Sequence, residues 1–545
     1  MIPSRLLIPA LLATALLSMP ALAGEPAVIH APAGTVSGQT VGALQVFKGI
    51  PYALPPTGAR RWKPPLPMPK WKGTRVATQF GPACVQPKAR SGSIYAWDIG
   101  ALSEDCLTLN VWAPAKASKA PVFVWIHGGA LSTGSGGEPM YDGSKLAERG
   151  LVVVTINYRM GILGFLAHPA LSAESRRNVS GNYGLLDQMA ALRWVKNNIG
   201  AFGGDAGNVT IAGESAGALS VMYLMVAPES RGLFHKAVAQ SAYMISAPEL
   251  RGVTYGGVAA EPVGPWLGEK LGAGDLAGLR SMDAVALTEG AAAAGYFPFF
   301  NIDGRVLPRQ VVEALDRGEQ AKVPILAGFN SGEIRSLKFL ASQVPADAAT
   351  YEKEIRARYS DLADAFLKLY PASDMAESVL ATTRDALYGW TSERLVLKQT
   401  ALGVPSYLYL FDHGYPSAVE MGLHAFHASE IPYMFGTFDK TPIRWPKVPA
   451  TPVETGLSDA MLDYWASFAR DGVPAAAGQP GWPAYGADRA YMAFEEVPLP
   501  KKHVMPGMFE LNEQVVCRRR AKGGIPWNWN VGLASPPLPA EAPCR

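Results

Sequence analysis

The sequence predicts an α/β fold built on one large, mostly parallel β-sheet with helices on both faces. Three observations predict it. Segments such as "PVFVWIHGG" (121–129) and "LVVVTINYR" (151–159) are nearly continuous apolar runs, the composition of strands covered on both faces. The segment "YGLLDQMAALRWVKNNIGAFGG" places Leu185, Leu186, Met189, Leu192, Trp194 and Val195 at helical spacing and stops at Gly203-Gly204. Strand-like and helix-like stretches then alternate along the chain instead of forming separate blocks, which favours parallel strands joined by crossover helices.

The elements follow in order. "GTVSG" (34–38) reads as part of a β-hairpin, and "LQVFKGIPYALPPTGARRWKPPLP" (44–67) is too rich in proline to be helical. The two apolar strands and the helix come next, and "NVTIAG" (208–213) is a third strand. "FHKAVAQSA" (234–242), "VPILAGFNS" (323–331) and "PSYLYLF" (405–411) supply further strands. Residues 345–400, with "AATYEKEIRARYSDLADAFLKLY", are charge-rich and helical in pattern, and are expected to form a helical cap over one edge. No internal repeat or disordered linker divides the chain, so residues 24–545 are expected to form a single domain.

Bulk properties exclude several function classes. The 545 residues are 48% hydrophobic, enough for a large core, and 49 basic against 46 acidic residues give a net charge of +3. The run Arg518-Arg519-Arg520 is too short for a nucleic-acid groove, and no nucleic-acid partner is expected. Residues 1–23 read as a secretory signal: Arg5, then an apolar stretch from Leu6 to about Met19, then Ala21-Leu22-Ala23 before the cleavage point. A membrane anchor is the rival reading, but the stretch is short for a span and has no charged stop-transfer flank. The expected location is therefore periplasmic or extracellular, with no membrane span in the mature chain. The four cysteines suit that compartment. Three pairings are possible. The local one, Cys84–Cys106 with Cys517–Cys544, closes two short loops and is the one expected. No Cys-x-x-Cys or Cys/His cluster suggests a metal, and no metal site is expected.

The chemistry centres on Gly213-Glu214-Ser215-Ala216-Gly217, which matches Gly-x-Ser-x-Gly between a strand and an apolar run. A serine there sits on a tight, strained turn that projects its hydroxyl from the top of the sheet, and the flanking small residues let strand and helix approach closely. The N-terminus of the following helix favours negative charge at Ser215. "WIHGGALSTG" (125–134) follows a buried strand, and the N–H groups of Gly129 and Ala130, with that of Ala216, form a candidate three-donor oxyanion hole.

Beyond these motifs, the chain resembles the type-B carboxylesterases of the α/β-hydrolase fold, the group of cholinesterases and bacterial p-nitrobenzyl esterases. "FKGIPYALPPTGARRWKPP", "SEDCLTLNVWAP", "WIHGGA", "YDGSKLA", "NYRMGILGFL", the long block from Asn182 to Val221 and "FHASEIPYMFG" all resemble its signature blocks, in order. The resemblance implies a triad in the order serine, glutamate, histidine. It places the acid in "GFNSGEIRSL" at Glu333, although Gly332-Glu333-Ile334 departs from the family's Asp-Glu-Gly; Asp303 and Glu430 are the alternative acids, and Asp303 matches a structural Ile-Asp-Gly turn. It places the base at His427, before Ala-x-Glu-x-Pro, with His424 lining the gorge or at the surface. His127 is expected to be structural, and no role is assigned to the remaining histidines. The implied activity is hydrolysis of small-molecule carboxylic esters through an acyl-enzyme, with no cofactor. An acyltransferase or amidase would use the same site, and a binding protein lacking catalysis is the remaining rival. Leu131 stands where many relatives carry an aromatic; "AAAAGYFPFF" (291–300) borders the acyl pocket or packs in the core; Arg335 meets an anionic substrate or faces solvent.

Overall fold

A computed structural model describes residues 26–88, 92–539 and 544. The expected signal segment 1–23 lies outside these residues. Thirteen strands among them form one sheet. Across it run Pro26–Ala31, Gly34–Val41, Leu44–Pro51, Thr108–Pro114, Val152–Ile156, Ala120–Ile126, Gly204–Glu214, Lys236–Gln240, Ile325–Asn330, Ser406–Phe411, Ala490–Phe494 and Pro498–Lys502, with Thr74–Val76 beside the second. The seven from Val152–Ile156 to Ala490–Phe494 are mutually parallel, and the flanking strands pair antiparallel except Thr74–Val76, which is parallel to Gly34–Val41. This is the mostly parallel sheet that the apolar runs predict.

The period of two along a strand divides its side chains between two cores. In Ala120–Ile126, Val122, Val124 and Ile126 join one buried cluster while Phe123 and Trp125 join the other. Neither face is left to water, which is why "PVFVWI" has no polar alternation. The helices Tyr183–Asn198 and Ala216–Val226 supply Leu185, Met189, Leu192, Leu219 and Met222 to the first cluster, and Pro452–Asp471 supplies Met461, Trp465 and Phe468 to the second.

The span 345–400 is helical, with Ala348–Tyr359, Ala363–Leu369, Met375–Arg384 and Trp390–Ala401. Tyr351, Ile355, Tyr359 and Phe366 form a separate small core with Leu511 and Val515 of the helix Met508–Lys522. The last helix, Trp390–Ala401, lies on the sheet against Ile325–Asn330 and Ser406–Phe411. Between the third and fourth helices, Asp385–Gly389 is a π-helical turn. The disulfides are Cys84–Cys106 and Cys517–Cys544, the local pairing. No helix among the described residues is long and apolar enough to cross a membrane.

Candidate active site

Ser215 joins the strand Gly204–Glu214 to the helix Ala216–Val226 with φ 55° and ψ −121°. That backbone is costly for a residue with a Cβ, and such strain concentrates at functional positions. The approach of strand to helix is equally tight. A Cβ on Gly217 would stand 2.0 Å from the carbonyl oxygen of Ile126, so only glycine fits. The elbow is tied to the next strand by the Ser215 N–H, which donates to Gln240 O at 2.9 Å.

Two loops converge on it. The acid loop follows Ile325–Asn330, and the histidine loop precedes the short helix Ile431–Phe435. They are zipped together: the Gly332 N–H donates to Ala425 O at 2.8 Å, and Asn330 Nδ2 donates to Phe426 O at 2.8 Å. The result brings His427 Nδ1 to 2.5 Å from Glu333 Oε2. The other Glu333 oxygen accepts from the Asn330 N–H at 2.9 Å, which fixes the carboxylate in both planes. Both side chains are buried. The Gly332-Glu333-Ile334 departure leaves this contact intact, because Glu333 opens a short 3₁₀ turn whose preceding glycine packs against the backbone of Leu423 and Ala425.

The two alternative acids have other tasks. Glu430 accepts from Gln240 Nε2 at 2.9 Å and from Asn330 Nδ2 at 2.7 Å. Asp303 accepts from the N–H groups of Arg305, Val306 and Leu307, closing a turn. His424 is exposed with φ 50°. His127 stacks on Tyr158 with ring centroids 4.5 Å apart, and burial lowers it to about 4, so it is a neutral structural group.

The oxyanion candidates lie beside the elbow. A Cβ on Gly128 would be 2.9 Å from Glu214 O and 3.3 Å from Ser215 Cβ, so this loop packs directly on the serine. Gly129 and Ala130 have φ of 100° and 55°. Among the described residues, no backbone acceptor takes up the N–H groups of Gly129, Ala130 or Ala216. Three unspent donors next to a hydroxyl form a place for developing negative charge.

Reading the sequence missed several neighbours. Glu214 Oε1 is 3.1 Å from His427 Nε2. Burial pushes Glu214 up to about 8 against the opposing pull of His427. Burial lowers His427, but Glu214, Glu333 and Glu430 outweigh it and bring it up to about 9. Glu214 was visible as the variable residue of the pentapeptide, but nothing in the sequence aimed it at the histidine. Tyr388, on the π-helical turn, packs its ring 5.4 Å from that of His427. Arg335 is partly buried and pairs with Glu377 at 2.5 Å. Phe300 is core, packed on Phe165 and Tyr223. Leu131 is buried, and its carbonyl accepts from the Gly161 N–H at 2.7 Å. No group of His, Cys, Asp or Glu side chains among the described residues has the arrangement of a metal site.

The sequence pattern of the carboxylesterase family matches residues 25–506. The chain belongs to the carboxylesterase family. This carboxylesterase is 38% identical over 488 residues to the fumonisin B1 esterase of Sphingopyxis macrogoltabida, covering 86% of each chain. It is 36% identical to the para-nitrobenzyl esterase of Bacillus subtilis, covering 83% of this chain and 91% of that one. A solved para-nitrobenzyl esterase superposes with a TM-score of 0.76 at 32% identity, covering 89% of this chain and 99% of that chain. A Geobacillus stearothermophilus carboxylesterase superposes with a TM-score of 0.70 at 34% identity and the same coverage. The fold is the α/β-hydrolase fold, and the protein is a carboxylic ester hydrolase.

Proposed function

We propose that this carboxylesterase is an exported serine esterase that works through Ser215, His427 and Glu333 and an acyl-enzyme. The observation that carries the reading is the 2.5 Å contact between His427 Nδ1 and Glu333 Oε2, formed beside a serine held at φ 55°. The Ser215 oxygen attacks the ester carbonyl as its proton passes to His427 Nε2. Glu333 orients the ring and stabilises its cationic form. The N–H groups of Gly129, Ala130 and Ala216 hold the tetrahedral oxyanion, and loss of one such donor raises the barrier by about 2.7–4 kcal/mol. His427 then protonates the departing alcohol. Water repeats the cycle: its oxygen bonds to the acyl carbon as its proton passes to His427, the Ser215 Oγ–acyl bond then breaks as His427 returns the proton to Ser215, and the free acid leaves. Export is supported by residues 1–23 and by two disulfides, which persist in oxidising compartments.

The test is hydrolysis of a simple aryl ester by purified protein and by Ser215→Ala, His427→Ala and His424→Ala. The first two should fall by several orders of magnitude while remaining folded; His424→Ala should change activity modestly. Near-parent turnover in Ser215→Ala would remove the serine from the mechanism. An ester panel with separate acyl and alcohol series should include fumonisin B1, the compound named in one relative. Adding alcohol and amine acceptors to the same assay separates hydrolysis from acyl transfer.

A further inference from the structure

The loop closed by Cys84–Cys106 carries Tyr95, whose hydroxyl reaches the histidine loop. Tyr95 Oη lies 2.9 Å from His427 O and 2.7 Å from Ser336 Oγ. A carbonyl only accepts, so the single phenol proton goes to His427 O, and the phenol oxygen accepts from the Ser336 hydroxyl. One oxygen thus fastens the backbone of His427 to the turn that begins at Glu333. The ring is wedged as well: it meets Trp445 edge-on at 5.7 Å, and Trp445 packs on Phe426, the residue before His427.

This contact differs in kind from the others around the pair. Asn330 and Gly332 join the acid loop to the histidine loop through backbone and amide groups that belong to those loops. Tyr95 comes from a segment 332 residues away from His427 in sequence, and its hydroxyl touches His427 itself and Ser336, three residues after Glu333. Burial, with Glu214, Glu333 and Glu430 adding to it, holds the phenol well above its usual range, so it remains a donor throughout the working pH range.

We infer that Tyr95 is a positioning residue for the esterase reaction: it sets the placement of the His427 ring relative to Glu333 through His427 O and Ser336, with its own ring edge-on to the imidazole at 6.5 Å. The inference rests on the reading of His427 as the base. It also makes the disulfide loop part of the catalytic support.

The experiment compares the parent with Tyr95→Phe, Ser336→Ala, the double variant and His427→Ala, recording kcat, KM, the pH dependence of kcat/KM and Tm. A small misplacement of a catalytic group costs up to about 10²-fold. Tyr95→Phe should lower kcat about 10-fold, leave KM within about 2-fold and move the acid limb of the pH profile downward, because His427 loses part of its contact with Glu333. Ser336→Ala should act in the same direction, and the double variant should lose no more than the worse single, as groups sharing one bond chain are not additive. Parent kcat and pH limb in Tyr95→Phe, whatever its Tm, would overturn the inference, as would a raised KM at constant kcat, which would make Tyr95 a substrate contact. If Tyr95→Phe does not fold, parent kcat and pH limb in Ser336→Ala overturn it instead. An active His427→Ala would overturn the reading beneath it; an inactive His427→Ala with parent-like Tyr95→Phe would overturn this inference alone.

Discussion

Glu214 Oε1 lies 3.1 Å from His427 Nε2 without forming a hydrogen bond to it, so Glu214 acts on the imidazole by charge. Glu214 precedes Ser215 in the chain, so the turn that strains the serine also fixes this carboxylate. Glu214 and His427 are too close to titrate independently, and the pair shares its protons.

That coupling sets the pH dependence. His427 must be unprotonated to accept the serine proton, and the carboxylates bring it from 6.5 up to about 9. Activity is therefore lost as pH falls through a raised value. The acid limb of kcat/KM should lie above 6.5, and Glu214→Gln, which removes the largest raising charge, should move it down. A parent limb below 6, or an upward move in Glu214→Gln, would contradict the coupling.

Glu333→Gln keeps size and removes charge, and it allows the wrong imidazole tautomer. The comparable change in an aspartate triad lowers kcat about 10⁴-fold, and a loss on the order of 10²–10⁴ is expected here. Glu430→Gln should lose far less kcat but destabilise the fold, because both Glu430 oxygens accept from amide N–H groups of Gln240 and Asn330, and a new amide donor conflicts with one of them. Side-by-side kcat/KM and Tm measurements decide between them; a larger catalytic loss at Glu430 would reassign the acid.

Gly217→Ala tests the elbow. Its Cβ would be 2.0 Å from Ile126 O, a backbone atom that cannot swing aside as a side chain would. Loss of soluble protein, or a large fall in both Tm and turnover, is expected. A folded variant with parent activity would contradict this tight approach of strand and helix.

The Cys84–Cys106 link spans 22 residues, and a loop of that size stabilises by roughly 3 kcal/mol on the chain-entropy model. Replacing both cysteines by serine should lower Tm, and peptide mapping of the unreduced parent should give this link and Cys517–Cys544. A cross-link between the N- and C-terminal pairs would contradict the structure.

The sequence by itself determined the sheet, because strands buried on both faces are nearly continuous apolar runs, as in Val122–Ile126 and, with Thr155 as the one polar residue, Val152–Ile156. It also determined the serine turn, because Ser215, Gly213 and Gly217 are neighbours in the chain and a local backbone requirement leaves a local signature. Family likeness singled out Glu333 and His427, but their contact spans 94 residues and depends on Asn330 and Gly332 joining two loops. Glu214 against Nε2, Glu430 held by Gln240 and Asn330, Arg335 paired with Glu377, and Tyr95 on His427 O were decided only by the tertiary structure. Each depends on a distance of a few ångströms between segments far apart in sequence. Charge and hydrogen bonding act over that distance, and no spacing along the chain encodes it.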